Sequence, residues 1–175
     1  GSAFFPGTGA YLQYTDTVNT FGTSDFTIEF FLYPTTTAHN VIFNSATTNN
    51  WAVITFGSQV YWQYNGANVL NTTSTVTANQ WNHIAVVRSG TTLTIYINGT
   101  SGASATNSTN YPTPTGTKYI GPSSGGSVPF YVSNVRIVKG VAVYTATFTP
   151  PTNPLTTTQS ANTNGNPSAA ISGTS

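Results

Sequence analysis

The chain has 175 residues, 4% of them charged, with a net charge of +1 and no cysteine. That length builds one domain with a substantial core and leaves two cramped. Charged residues normally make up about a quarter of a chain, so four scattered cations (Arg88, Lys118, Arg136 and Lys139) exclude a counterion-driven nucleic-acid surface and docking on an anionic membrane. Disulfides and thiolate metal sites are excluded with the cysteines. The apolar runs are short, and none has the length of a membrane-spanning helix.

In chain order, the first clear element is DFTIEFFLYP (25–34). Phe26, Ile28, Phe30 and Leu32 share one face of a strand and Thr27, Glu29, Phe31 and Tyr33 the other, until Pro34 ends the run. NVIFN (40–44), WAVITF (51–56) and QVYWQY (59–64) follow. Gly57-Ser58 makes the last two a hairpin, because glycine supplies the positive φ of a tight turn. Asn65-Gly66 and Asn98-Gly99 are further turn signals. QWNHIAVVRSGTTLTIYINGT (80–100) reads as two paired strands, Trp81–Arg88 and Thr92–Asn98. The first is apolar on both faces, with Ile84 and Val86 on one side and Trp81, His83, Ala85 and Val87 on the other. Such a strand is central and covered twice. Residues 101–116 read as an irregular connection held by Pro112 and Pro114. TKYIG (117–121) and YVSNVRIVK (131–139) are the last strands. From Thr149 onward almost nothing can be buried, and residues 157–175 read as an extended Thr/Asn/Ser-rich tail. The whole describes an all-β, antiparallel two-sheet sandwich.

YLQY (11–14), DFTIEFFLYP, QWNHIAVVRSGTTLTIYINGT, KYIG (118–121) and YVSNVRIVKGVAVYTATFTPPTNPLT (131–156) together resemble the laminin-G-like, concanavalin A-like jelly-roll family. The resemblance is nearest to the forms carried in phage structural proteins and bacterial surface proteins. It implies a jelly-roll domain over residues 1–156. That family commonly holds calcium at the rim, for which Asp16 and Asp25 are the candidate ligands here, but three acids are few for an ion that wants several carboxylates, and no cofactor is expected. One departure stands out. Where the family returns to a last apolar strand, this chain offers only Ala169-Ala170-Ile171, so that strand is absent, lies beyond the sequence, or comes from a neighbour. An open sheet edge invites pairing.

The acids argue against catalysis. Glycosidases of this fold carry closely alternating acids, whereas Glu29 is the only glutamate. Asp25 and Glu29, four residues apart on one strand face, stand about 13 Å apart, beyond the roughly 5–9.5 Å that glycosidase carboxylates need. Asp25 is expected to cap a turn, and Glu29 to face solvent or pair with a cation. His39 and His83 lack partners at zinc-ligand spacing, and His83 reads as a hydrogen-bonded core or edge residue.

Sugars stack on aromatic rings while amides and hydroxyls take their polar edges. QVYWQYNGAN (59–68) supplies Tyr61, Trp62 and Tyr64 with Gln63, Asn65 and Asn68, and Tyr111 and Tyr131 lie near other loops. Strand alternation sets Trp62 and Tyr64 on one face and Tyr61 and Gln63 on the other, and either face suits the core. Two functions are therefore expected. The first is a non-enzymatic virion component, a head decoration or fibre module packed against copies of itself or other virion proteins. The second is a carbohydrate-binding adhesin. Both place the chain on a virion surface or outside the cell, with no nucleic-acid or membrane partner.

Overall fold

A computed structural model of the chain describes residues 1–14, 20–45, 50–123, 127–163 and 166–172. Its strands run, in order, β1 (Ser2–Phe5), β2 (Leu12–Tyr14), β3 (Phe26–Pro34), β4 (Asn40–Ser45), β5 (Trp51–Phe56), β6 (Gln59–Tyr64) and β7 (Ala67–Asn71). They continue with β8 (Asn82–Ser89), β9 (Thr92–Ile97), β10 (Thr100–Thr106), β11 (Lys118–Ile120), β12 (Phe130–Lys139), β13 (Thr158–Gln159) and β14 (Ile171–Ser172). Sheet A has the order β1-β12-β3-β8-β9-β10 and sheet B the order β2-β11-β4-β5-β6-β7. All their pairings are antiparallel. Among the described residues no helix is long and apolar enough to cross a membrane.

The alternation of the sequence becomes the layering of the sandwich. Phe26, Ile28, Phe30 and Leu32 of β3 and Ile84 and Val86 of β8 belong to one buried cluster with Phe43, Trp51, Val53 and Trp62 of sheet B. Each fully buried Leu, Ile or Phe there contributes about 1.5–3 kcal/mol. Phe30 meets Phe43 edge-on at 5.2 Å, and Phe26 meets Trp62 at 5.5 Å. Contacts of that kind tie the sheets together.

The outward face of β8 is covered as well. Ala85 and Val87 are buried with Tyr96, Val143, Tyr144, Phe148 and Ile171, so residues 141–172 cover part of the outside of sheet A. The segment expected as an extended tail has its described part docked on this face. β13 pairs with β14, Gln159 Nε2 donates to the Ala169 carbonyl, and the Ala169 N–H donates to the Val143 carbonyl. Ile171 joins an apolar cluster whose other members lie in 85–148, and hydrogen bonds hold the rest, the Asn166 side-chain amide accepting the Thr149 N–H and donating to the Thr149 carbonyl. Ala169-Ala170-Ile171 thus contributes to a separate two-stranded ribbon and joins neither main sheet.

The first part of 101–116, expected as an irregular connection, is regular, whereas 107–116 is irregular as expected apart from a bridge at Tyr111. Thr100–Thr106 forms edge strand β10 on β9, with a bulge between Ser101 and Ala103. Its small polar residues carry no apolar alternation, and the pairing rests on the backbone. Gly99, which precedes it, has φ 80°, and a Cβ there would lie 1.8 Å from the Phe148 carbonyl oxygen. Only glycine lets the covering segment approach the β9–β10 turn this closely.

A charged cluster is buried beneath the same segment. Glu29 is fully buried, as is His83. Arg136 donates from Nε to Glu29 Oε1 at 2.7 Å and from Nη1 to the Thr156 carbonyl at 3.0 Å, while the Tyr144 hydroxyl donates to Glu29 Oε2 at 3.0 Å. His83 Nε2 lies 3.2 Å from the same Oε2. Glu29 therefore pairs with a cation as expected and does not face solvent. Burial alone would push its carboxyl up, but the His83 hydrogen bond and the Arg136 guanidinium together hold it below the usual carboxylate range. Burial, reinforced by the Glu29 charge, pushes the Tyr144 phenol up, so it remains a donor.

Candidate functional site

The register of the β5–β6 hairpin decides which side of QVYWQYNGAN faces out. Val53 pairs with Trp62 and Ile54 with Tyr61. Trp62 and Val53 point into the core, so Ile54, Tyr61 and Gln63 point away from it. Across the next ladder Gln63 sits opposite Asn68. The result is a cleft of about 610 Å³ on the outside of sheet B, lined by His39, Ile54, Phe56, Tyr61, Gln63 and Asn68.

Its floor and walls are apolar and aromatic, and its edge is amide. Phe56 is 60% exposed, and His39 stands edge-on to it at 6.1 Å. Tyr61 packs on the buried trio Val41, Ala52 and Ile54, and its hydroxyl donates to Gln59 Oε1 at 3.0 Å. That bond ties the ring to its neighbour two residues back on the same strand face. Gln63 Nε2 donates to Asn68 Oδ1 at 2.8 Å, which leaves the Gln63 carbonyl oxygen and the Asn68 amide N–H groups for a ligand. No Asp, Glu, Lys or Arg side chain lines this cleft.

Several expected ligand residues lie elsewhere. Trp62 and Tyr111 are fully buried and are withdrawn as sugar contacts. Trp62 Nε1 donates to the Tyr111 hydroxyl at 3.0 Å, which donates in turn to Asn107 Oδ1 at 3.0 Å. Apolar burial drew both rings inward, and that chain of bonds satisfies their polar atoms. Tyr64 packs edge-on against Tyr111 at 5.0 Å, on the core side of β6. Asn65 is a turn residue with φ 47°, its side-chain oxygen accepting the Asn50 N–H at 3.1 Å. Tyr131 lies on the other sheet. The structure therefore unites Tyr61, Gln63 and Asn68 and adds His39, Ile54 and Phe56. Phe56 was visible in the sequence as an aromatic residue directly before a Gly-Ser turn.

The ionisable groups are committed to the fold. Asp25 Oδ1 accepts the Gly90 N–H at 2.7 Å, as a turn cap. Asp16 lies outside the described residues. Arg88 is buried and donates to the carbonyls of Gly22, Ser24 and Thr109. Lys118 and Arg136 are buried too, which leaves Lys139 as the one exposed Lys or Arg side chain. Calcium needs six to eight oxygens, several of them carboxylate. Among the described residues no group of three or more His, Cys, Asp or Glu stands together, Asp25 caps a turn and Glu29 is buried.

Comparison with known proteins is decisive for the family. The model described as the concanavalin A-like lectin/glucanases superfamily matches residues 6–152. The chain belongs to that superfamily. As a concanavalin A-like chain it is similar in structure to the mouse laminin alpha1 chain, domains LG4-5, with TM-score 0.58 and 19% identity over 78% of this chain and 40% of that one. It is similar to the heptameric SAP-like pentraxin of Limulus polyphemus, with TM-score 0.55 and 18% identity over 73% and 68%. It is also similar to botulinum neurotoxin type C, described as interacting with two ganglioside molecules, with TM-score 0.51 and 15% identity over 67% and 33%. The concanavalin A-like chain thus spans well under half the length of the laminin and neurotoxin chains. No curated protein matches its sequence. At these identities the likeness is one of fold.

Proposed function

We propose that this concanavalin A-like domain is a non-catalytic module, displayed on a virion or outside the cell, that binds an uncharged glycan in the sheet B cleft. The observation that carries the reading is the pairing of two projecting rings, Phe56 and Tyr61, with the Gln63–Asn68 amide pair at an uncharged strand face. Sugars present apolar C–H faces to the rings and hydroxyls to the amides. The neurotoxin described with gangliosides supports glycan binding by a sandwich of this kind, though its ligand is acidic and the neutrality proposed here rests on the cleft's own lining. Tyr61→Ala with Gln63→Ala is expected to keep the melting temperature within a few degrees and to weaken glycan-array binding at least about tenfold, the equivalent of roughly 1.4 kcal/mol. Unchanged binding by that variant removes the cleft from the account.

A virion role, as a head decoration or fibre module, is a second reading with its own support. The surface is nearly uncharged, so like-charge repulsion does not hold copies apart. Exposed Tyr11 and Leu12, where the edge strand β2 begins, offer an apolar margin for a neighbour. On this reading the protein sediments as a symmetric oligomer or with shell or fibre proteins. A strict monomer with no affinity for such particles counts against it.

A further inference from the structure

On the outside of sheet A the side chains fall into rows that run across the strands. Residues 141–172 cover the rows containing Glu29, Ala85 and Val87. The row at the opposite end of β3 is bare. The register sets Phe4 of β1 opposite Tyr131 of β12, and Tyr131 opposite Tyr33 of β3. Trp81, just before β8, completes it. Ring centroids along the row are 4.7 Å apart from Phe4 to Tyr131, 5.8 Å from Tyr131 to Tyr33 and 5.5 Å from Tyr33 to Trp81. The two end rings are the most open, Phe4 at 51% and Trp81 at 45%.

Beside the row, toward the covered half, lies a cleft of about 550 Å³. Phe31 and Trp81 form its apolar wall, and its polar lining is Ser2, Ser133, Asn134, Thr152 and Asn153. Gly1 and Pro151 complete the lining, and no Asp, Glu, Lys, Arg or His side chain contributes to it. Asn134 is exposed at the β12 bulge with φ 49°, which lifts its amide out of the sheet.

We propose that this row is a second carbohydrate-binding surface, one that takes an extended chain of an uncharged polysaccharide. The proposal shares its ligand class with the sheet B reading but rests on a separate face. Four consecutive rings exceed what one sugar covers and match a run of linked pyranose rings, each with a C–H face to stack. The hydroxyls and amides alongside suit sugar hydroxyls, and a lining without charged side chains offers no ion-pair partner to an ionic ligand. Neighbouring rings are inclined to each other by 34°, 89° and 64° along the row. A flat crystalline polymer face needs coplanar rings, so the occupant is a single twisted chain in solution. Because the two sites lie on the outsides of opposite sheets, one module holds two glycan chains at once, and avidity follows from that geometry.

Of the three tryptophans, Trp51 and Trp62 are buried and Trp81 alone is exposed, so fluorescence quenching by acrylamide reports on this site. The probes are soluble neutral polysaccharides, namely a β-1,3-glucan, a xyloglucan, a galactomannan and an α-mannan, each with its oligosaccharides. At least one is expected to protect Trp81 from acrylamide and to retard the protein in affinity gels, with oligosaccharides of four or more units competing and monosaccharides failing. Trp81→Ala with Tyr131→Ala should lose at least about tenfold in that retardation, Trp81→Phe should keep most of it, and Tyr61→Ala should leave the protection of Trp81 intact. The proposal is overturned by failure of all four polysaccharides to protect Trp81 in the unaltered protein. Equal retardation of the double variant overturns it too, as does a ligand-free dimer that Trp81→Ala dissolves, which would make a second copy the occupant. Loss of glycan-array binding on Tyr61→Ala alone touches only the sheet B cleft.

Discussion

Arg136→Ala is expected to lower the unfolding free energy by about 3–5 kcal/mol, because it leaves a buried carboxylate without its cation. Glu29 is fully buried, and Arg136 supplies both the charge beside Oε1 and a hydrogen bond to the Thr156 carbonyl. The substitution therefore strikes twice, once at the ion pair and once at the segment that covers sheet A. Denaturant unfolding reads the first effect, and hydrogen exchange over 141–172 reads the second. Glu29→Gln with Arg136→Met should recover much of the loss, since removing both charges leaves no stranded ion. The pH dependence has a defined sign. Glu29 ionises more readily folded than unfolded, so its contribution is full above its ordinary value of 4.5 and is lost as the pH falls through the lower folded value. The stability gap between the unaltered protein and Glu29→Gln should narrow on acidification below about pH 4.5. A loss under about 1 kcal/mol for Arg136→Ala contradicts the buried pair.

Trp62→Ala is expected to cost about 3–5 kcal/mol, the range for truncating a large buried aromatic side chain. Its ring stacks on Trp51 at 5.1 Å and touches Phe26 and Tyr111, each at 5.5 Å. Truncation opens a void at the centre of the sandwich and removes the donor to the Tyr111 hydroxyl. Trp62→Phe fills more of the space but still deprives that hydroxyl, so it should cost less than alanine and more than a simple volume change. Denaturant midpoints and near-ultraviolet circular dichroism measure both. A Trp62→Ala protein that folds as tightly as the unaltered one, yet loses sugar binding, means that β6 presents its other face.

The fold was legible because β3 and the β8–β9 hairpin each carry a pattern that admits one layering. Four apolar residues alternate in the first, and both faces are apolar in the second. The candidate site was half legible for a physical reason. In β6 both faces carry aromatic rings, so alternation separated Tyr61 and Gln63 from Trp62 and Tyr64 without saying which set turns inward; pairing with Val53 and Ile54 of β5 decides that. The bare row on sheet A was hidden because Phe4, Tyr33, Trp81 and Tyr131 become neighbours only through strand order. The docking of the C-terminal segment was not legible because Ile171 is alone in its own stretch, and its apolar partners precede it by more than twenty residues.

The central claim is that an uncharged glycan settles on the outside of sheet B while the core stays closed. It is tested most directly by an NMR titration of the isotope-labelled protein with a glycan selected on an array. The account predicts shift changes at the side chains of His39, Phe56, Tyr61, Gln63 and Asn68, with Trp62 and Tyr111 unmoved. Shifts confined to other surfaces, or none at saturating glycan, contradict it.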